Sequence, residues 1–130
     1  MAGGVLTHLS DPPAFLFMVR YAPMAARNFR ELLEGKWTEG KFLCVGLDSD
    51  LDKIPEAVRQ NGPRETLVAF NRAIIDATLD IAGAYKLNSA FYEAHGDEGW
   101  KALRESIRYI KDQAPEVPII LDAKRGDIGN

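Results

Sequence analysis

The chain has little of what marks exported, membrane-spanning or metal-holding proteins: one cysteine and two histidines in 130 residues, and no long apolar run. Cys44 has no partner for an intramolecular disulfide. Within Phe42-Leu43-Cys44-Val45 it reads as a small core residue rather than a nucleophile, and a reducing, cytoplasmic setting is expected. The apolar stretch Ala14 to Val19 falls far short of the ~20 residues that cross a bilayer. Asp11, Pro12 and Pro13 precede it, where a signal peptide would carry a basic leader. Cationic excess is missing too: 16 Lys and Arg against 19 Asp and Glu give a net charge of −3 and a pI near 5.4. Neither nucleic acid nor an anionic membrane surface is an expected partner, so any anionic ligand must be held by local positive groups.

What is present is the balance of a soluble globular domain, 46% hydrophobic and 27% charged. Phe29, Leu32, Leu33 and Trp37 fall at helical spacing and predict a lead-in helix over Ala25 to Trp37. Glu39-Gly40 breaks it before the apolar run Phe42 to Leu47, whose near-continuous character predicts a strand buried on both faces. After a loop rich in Asp, Pro and Gly, Pro63 opens a helix with Leu67, Phe70, Ile74, Thr78 and Ile81 on one stripe. Ala82 to Asn88 reads as a second strand, Gly96 to the residues before Pro115 as another helix, and Val117 to Leu121 as a third strand. Strands alternating with helices of this length predict a parallel α/β sheet or barrel.

Each strand delivers charge to its carboxyl end. Asp48, Lys86 and Asp122 are spaced 38 and 36 residues apart, which predicts one charge per unit at the same level of the sheet, where α/β enzymes place their chemistry. Alternation along a strand would put Asp122 and Lys124 on one side, with Gly126 allowing a turn and Asp127 opening the next loop. Alternating acids and bases in a low-dielectric rim are costly unless paired, and such arrays are kept mostly for catalysis.

The strings Phe42-Leu43-Cys44-Val45-Gly46-Leu47-Asp48, Tyr85-Lys86-Leu87-Asn88 and Asp122-Ala123-Lys124-Arg125-Gly126-Asp127-Ile128-Gly129-Asn130 resemble, in order, three motif regions of the bacterial orotidine 5'-phosphate decarboxylases of the longer, subfamily 2 type. The resemblance runs from about Asn28 to the last residue, and its final motif is the most specific. It implies a fold consisting of the first three strand-helix units of a (β/α)8 TIM barrel, incomplete, and a cofactor-free, metal-free conversion of orotidine 5'-monophosphate to uridine 5'-monophosphate. Lys124 resembles the proton donor to C6 of the pyrimidine, Asp122 the carboxylate facing the departing carboxyl group, and Lys86 its charged neighbour. Asp127 resembles the aspartate that a dimer partner contributes toward the ribose, which implies a homodimer at full length. Asp48, with Asn88, is expected to bind substrate through a ribose hydroxyl.

Other readings compete with this one. Asp48, Asp50 and Asp52 have the spacing of the first calcium ligands of an EF-hand, but position six is Lys53 and position twelve Arg59, which excludes it. His95 reads as a loop or helix-cap histidine, and His8 carries no weight. A magnesium-dependent sugar-phosphate lyase or synthase of the same superfamily shares an Asp-x-Lys-x-x-Asp pattern. A non-catalytic partial barrel that assembles or aggregates is the alternative of another class, since three strands are countable where a closed barrel has eight. Residues 1–23 are expected to be a leader upstream of a true start at Met24, with the barrel part spanning 24–130.

Overall fold

The computed structural model describes residues 28–125, so the proposed leader and Asp127 lie outside the described residues. Helix α1 (Phe29–Thr38) starts where the Asn28 side chain accepts hydrogen bonds from the Arg30 and Glu31 backbone, at 3.1 and 3.3 Å, and donates to Glu31 at 2.9 Å. This reciprocal cap satisfies amides that a helix start otherwise leaves open. The helix closes through Lys41 N to Lys36 O and Gly40 N to Trp37 O, with Gly40 at φ +76°, a left-handed geometry that glycine adopts without Cβ strain.

Strand β1 (Leu43–Gly46) pairs in parallel with β2 (Ala82–Asn88), which pairs in parallel with β3 (Ile119–Asp122), giving the order β1-β2-β3. An irregularity between Leu43 and Cys44 leaves Gly83 without a counterpart in the register. A Cβ on Gly83 would run into the Lys41 carbonyl, so the close approach of the two segments requires glycine there. The central strand β2 is the buried one, with Tyr85 and Leu87 sealed in the core.

The expectation that β1 is buried on both faces is overturned. Phe42 is 72% exposed and Leu43 and Cys44 are exposed as well, because β1 has a paired neighbour on one edge only among the described residues. A continuous apolar run signals a strand that wants cover, not one that already has it. Cys44 is therefore not a core residue in this structure.

Helix α2 (Pro63–Asp76) opens with Pro63 in its first turn, as expected, and buries Thr66, Leu67, Val68, Asn71 and Ile75. The anticipated stripe is rotated and too long. Asp76 ends the helix, Thr78 turns its hydroxyl onto the Ile74 carbonyl at 2.7 Å, and Ile81 is left exposed. Helix α4 (Gly96–Gln113) packs on α2, with Leu103 and Ile110 inward, and the Arg64–Glu105 ion pair and Arg72 over the Tyr109 ring join the same two helices at their rim. Between β2 and α4 lies a short helix α3 (Ser89–Glu93), capped by Asn88, that periodicity does not reveal.

Candidate active site

The sheet register decides which side chains meet. Asn88 pairs with Asp122 across β2 and β3, while Lys86 pairs with Gly46 on one side and Ile120 on the other. Asp48 lies two residues beyond Gly46, so Asp48, Asn88 and Asp122 share the level at the carboxyl ends, and Lys86 sits one pleat beneath and reaches up. The expected common level of Asp48, Lys86 and Asp122 is thus off by two residues at Lys86, and the three side chains still converge because a lysine stem spans that distance.

Of the two aspartates at this rim, Asp48 is the more heavily engaged. Its two oxygens accept the Lys86 ammonium at 3.0 and 2.8 Å, and Oδ1 also accepts the Asn88 backbone N–H at 3.0 Å. Asp122 takes the Lys124 ammonium at 2.6 and 2.7 Å. The hydrogen bond to Asp48 holds Lys86 above the usual lysine range against the opposing pull of burial, and the Asp48 and Asp122 charges add to it. The Lys124 hydrogen bond holds Asp122 below the usual carboxylate range, with Lys86 contributing from the other side. Asp48, Lys86, Asp122 and Lys124 therefore form one alternating line of charge, hydrogen-bonded at both ends and coupled through space in the middle.

Lys124 reaches Asp122 by a different route from strand alternation. The strand stops at Asp122, and Lys124 adopts φ +48°, a left-handed conformation that costs a non-glycine residue on the order of 1 kcal/mol. Its side chain, 70% exposed, folds back over the carboxylate. Arg125 holds this turn in place, donating to the Ala123 carbonyl at 2.5 Å and to Glu93 on α3 at 2.7 Å. Its position beside Lys124 was the only signal in the sequence for that anchoring role.

Asn88 is partly committed already, since its carboxamide oxygen accepts the Ala90 N–H at 3.1 Å to cap α3. A shallow depression beside Asp48 is lined by Gly46, Ser49, Asp50, Lys53, Phe70 and Phe91. Asp50 caps a single 3-10 turn through Asp52 N and pairs with Lys53 at 2.8 Å, so it has a local structural task. His95 occupies the position before α4 without a side-chain capping bond. Among the described residues no group of three or more His, Cys, Asp or Glu is placed to hold a metal ion, and no helix is long and apolar enough to cross a membrane.

Behind Asp48 is a buried polar network that pattern reading missed. Tyr92 on α3 donates to the Leu47 carbonyl at 2.6 Å, Ser49 bonds Asn71 on α2 at 2.5 Å, and Asn71 donates to Tyr92 at 2.9 Å and to Ser106 on α4 at 2.8 Å. The one available signal was Asn71, a polar residue on the core-facing side of an otherwise apolar stripe.

Parallel β/α units with an open sheet make this chain a partial (β/α)8 barrel. No family model matches it. It is 52% identical to the orotidine 5'-phosphate decarboxylase of Christiangramia forsetii over 101 residues, and 50% identical to that of Phocaeicola vulgatus over 103. These matches cover 78% and 79% of this chain but 36% and 37% of the relatives, so the chain spans about a third of their length. Its fold superposes on the structure of Leishmania donovani OMP decarboxylase with a TM-score of 0.62 at 36% identity, covering 80% of this chain and 36% of that one. The Leishmania donovani UMP synthase structure matches with the same TM-score at 39% identity, over 78% of this chain and 20% of that one. Over the matched residues the chain is similar to the orotidine 5'-phosphate decarboxylases, which are carbon-carbon lyases.

Proposed function

We propose that this chain supplies the charged half of an active site that decarboxylates orotidine 5'-monophosphate, and the observation that carries the reading is the alternating line Asp48, Lys86, Asp122, Lys124 at one rim. Loss of carbon dioxide from C6 leaves a vinyl-type carbanion that the pyrimidine ring does not delocalise at that carbon. A fixed ammonium at that point stabilises the developing charge, and Lys124 then delivers its proton to C6. Asp122 faces the departing carboxyl group and keeps Lys124 charged and oriented, and Lys86 balances both aspartates.

Asp48 binds a ribose hydroxyl in this scheme. A carboxylate offers about four lone-pair sites, and Lys86 and Asn88 use three of them, which leaves one for a hydroxyl donor. Asn88 contributes through its NH2 group, since its oxygen is the α3 cap. Asp127 reaches the ribose of a partner protomer's site in a homodimer. No step requires a metal or an organic cofactor.

One observation favours a non-catalytic state of this chain by itself. The Lys124 side chain is 70% exposed, and apolar residues lie uncovered at both margins of the sheet, Phe42 before β1 at 72% and Leu121 on β3 at 50%. Preorganised charge is effective in a water-excluded pocket and weak in open solvent. The 130-residue chain alone is therefore expected to show no turnover, and mixing it with a chain carrying the remaining barrel units is expected to restore conversion. Following the ultraviolet change of orotidine to uridine monophosphate, with and without a chelator, tests this. Turnover by the chain alone, or restored turnover that a chelator abolishes, would contradict it.

A further inference from the structure

The polar network under Asp48 is larger than the fold requires. Ser49, Asn71, Tyr92 and Ser106 are all buried, and burying polar side chains is unfavourable unless every one is satisfied. Apolar residues of similar volume at these helix positions would pack a sheet against helices equally well. The network's placement is what distinguishes it. Its two contacts with the segment that follows β1 fall on Leu47 and Ser49, the residues immediately before and after Asp48, and its other members come from α2, α3 and α4.

We propose that Tyr92 and Asn71 are positioning residues for Asp48, clamping its backbone from both sides so that its carboxylate meets Lys86 and the Asn88 N–H together. Resting on the functional reading above, the proposal deepens it: the ribose-binding carboxylate is aimed by three helices rather than by the strand alone. A strand end is a poor aiming device, because ladder bonds stop there. Leu47 N still bonds the Lys86 carbonyl at 2.8 Å, and Asp48 itself is then held through its neighbours. Tyr92 is in turn fixed by Gly99, where any Cβ would strike the Tyr92 carbonyl, so α3 and α4 approach as closely as two backbones can.

The amide of Asn88 reports on the geometry directly, since its acceptor is the Asp48 carboxylate. In the full 130-residue chain, Tyr92→Phe removes the bond to Leu47 and keeps the ring. Hydrogen exchange and proton NMR should show the Asn88 amide shifting upfield and exchanging about 10-fold faster, while amides in the middle of α4 change less than about twofold. Tyr85→Phe is the control. It deletes another buried tyrosine hydroxyl, bonded to the Ile75 carbonyl at 3.2 Å, and should leave Asn88 unchanged. Ser49→Ala cuts the second clamp and should reproduce the Asn88 effect if Tyr92→Phe fails to fold. An unchanged Asn88 amide in folded variants, a uniform loss of protection across α4 and β2, or loss of the fold in both variants would each overturn the proposal. Because no substrate enters the measurement, this result stands apart from whether the assembled protein turns over orotidine monophosphate.

Discussion

At the scale of single residues, Asp48 joins Lys86 to the Asn88 amide. Asp48→Asn should leave Lys86 beside a neutral amide and destabilise the chain by about 1 kcal/mol in urea unfolding, the magnitude of a charge-assisted bond discounted for partial exposure. Asp48, Lys86, Asp122 and Lys124 could be picked from the sequence because each follows an apolar run. That Lys86 sits one pleat below its partners depends on the pairing register, and that Lys124 turns back through a left-handed backbone depends on where β3 stops, neither of which spacing encodes. Lys124→Ala should cost only about a few tenths of a kcal/mol, the small worth of an exposed ion pair, since its side chain is mostly in water. Cys44 was misread as core for lack of any signal about edge cover, and its exposure predicts rapid reaction with a thiol reagent in the folded state. Reaction only after denaturant is added would contradict the observed packing.

At the scale of elements, long periodic segments were read well and short or terminal ones were not. The limits of β2 and α4 match the pattern because a turn precedes Ala82, polar Asn88 ends the strand, and α4 runs 18 residues with apolar spacing. Helix α3 escaped because it follows β2 without any Gly or Pro, started by the Asn88 cap alone. The α2 stripe was extended past Asp76 because Thr78 and Ile81 continue the spacing after the backbone has turned. Gly99→Ala tests the packing of α3 on α4. The clash with the Tyr92 carbonyl is against backbone, so a loss of about 1–3 kcal/mol in thermal unfolding is expected, and a neutral result would show that the helices can separate at no cost.

At the scale of the whole molecule, the fold class was legible from the alternation of strands and helices, while the state of the sheet margins was not. Burial pushes the Tyr92 hydroxyl up to about 12, opposed by its hydrogen bonds with Asn71 and Ser49. The unfolded chain releases that proton near pH 10, so between pH 10 and 12 the folded state retains a proton that the unfolded state has lost, and stability falls as pH rises. Lys86 acts in the same direction, its contribution being fully present below the unfolded lysine value and lost as pH rises through the raised folded one. Stability measured against pH should therefore decline above about pH 10, and Tyr92→Phe should flatten that limb by roughly 2 kcal/mol. A limb of equal slope in the variant would place the titration elsewhere. At the acid end, the lowered Asp122 contributes above the ordinary aspartate value and that contribution is lost as pH falls below it.

The account rests on the claim that Lys124 is the proton donor of a decarboxylase whose charged line is carried by this chain. The most direct measurement is the rate of uridine monophosphate formation by the 130-residue chain assembled with the remaining barrel units, with Lys124 intact and with Lys124→Ala. The predicted result is turnover in the first assembly and a loss on the order of 10³-fold or more in the second, with assembly unchanged. Equal rates in the two assemblies would contradict it.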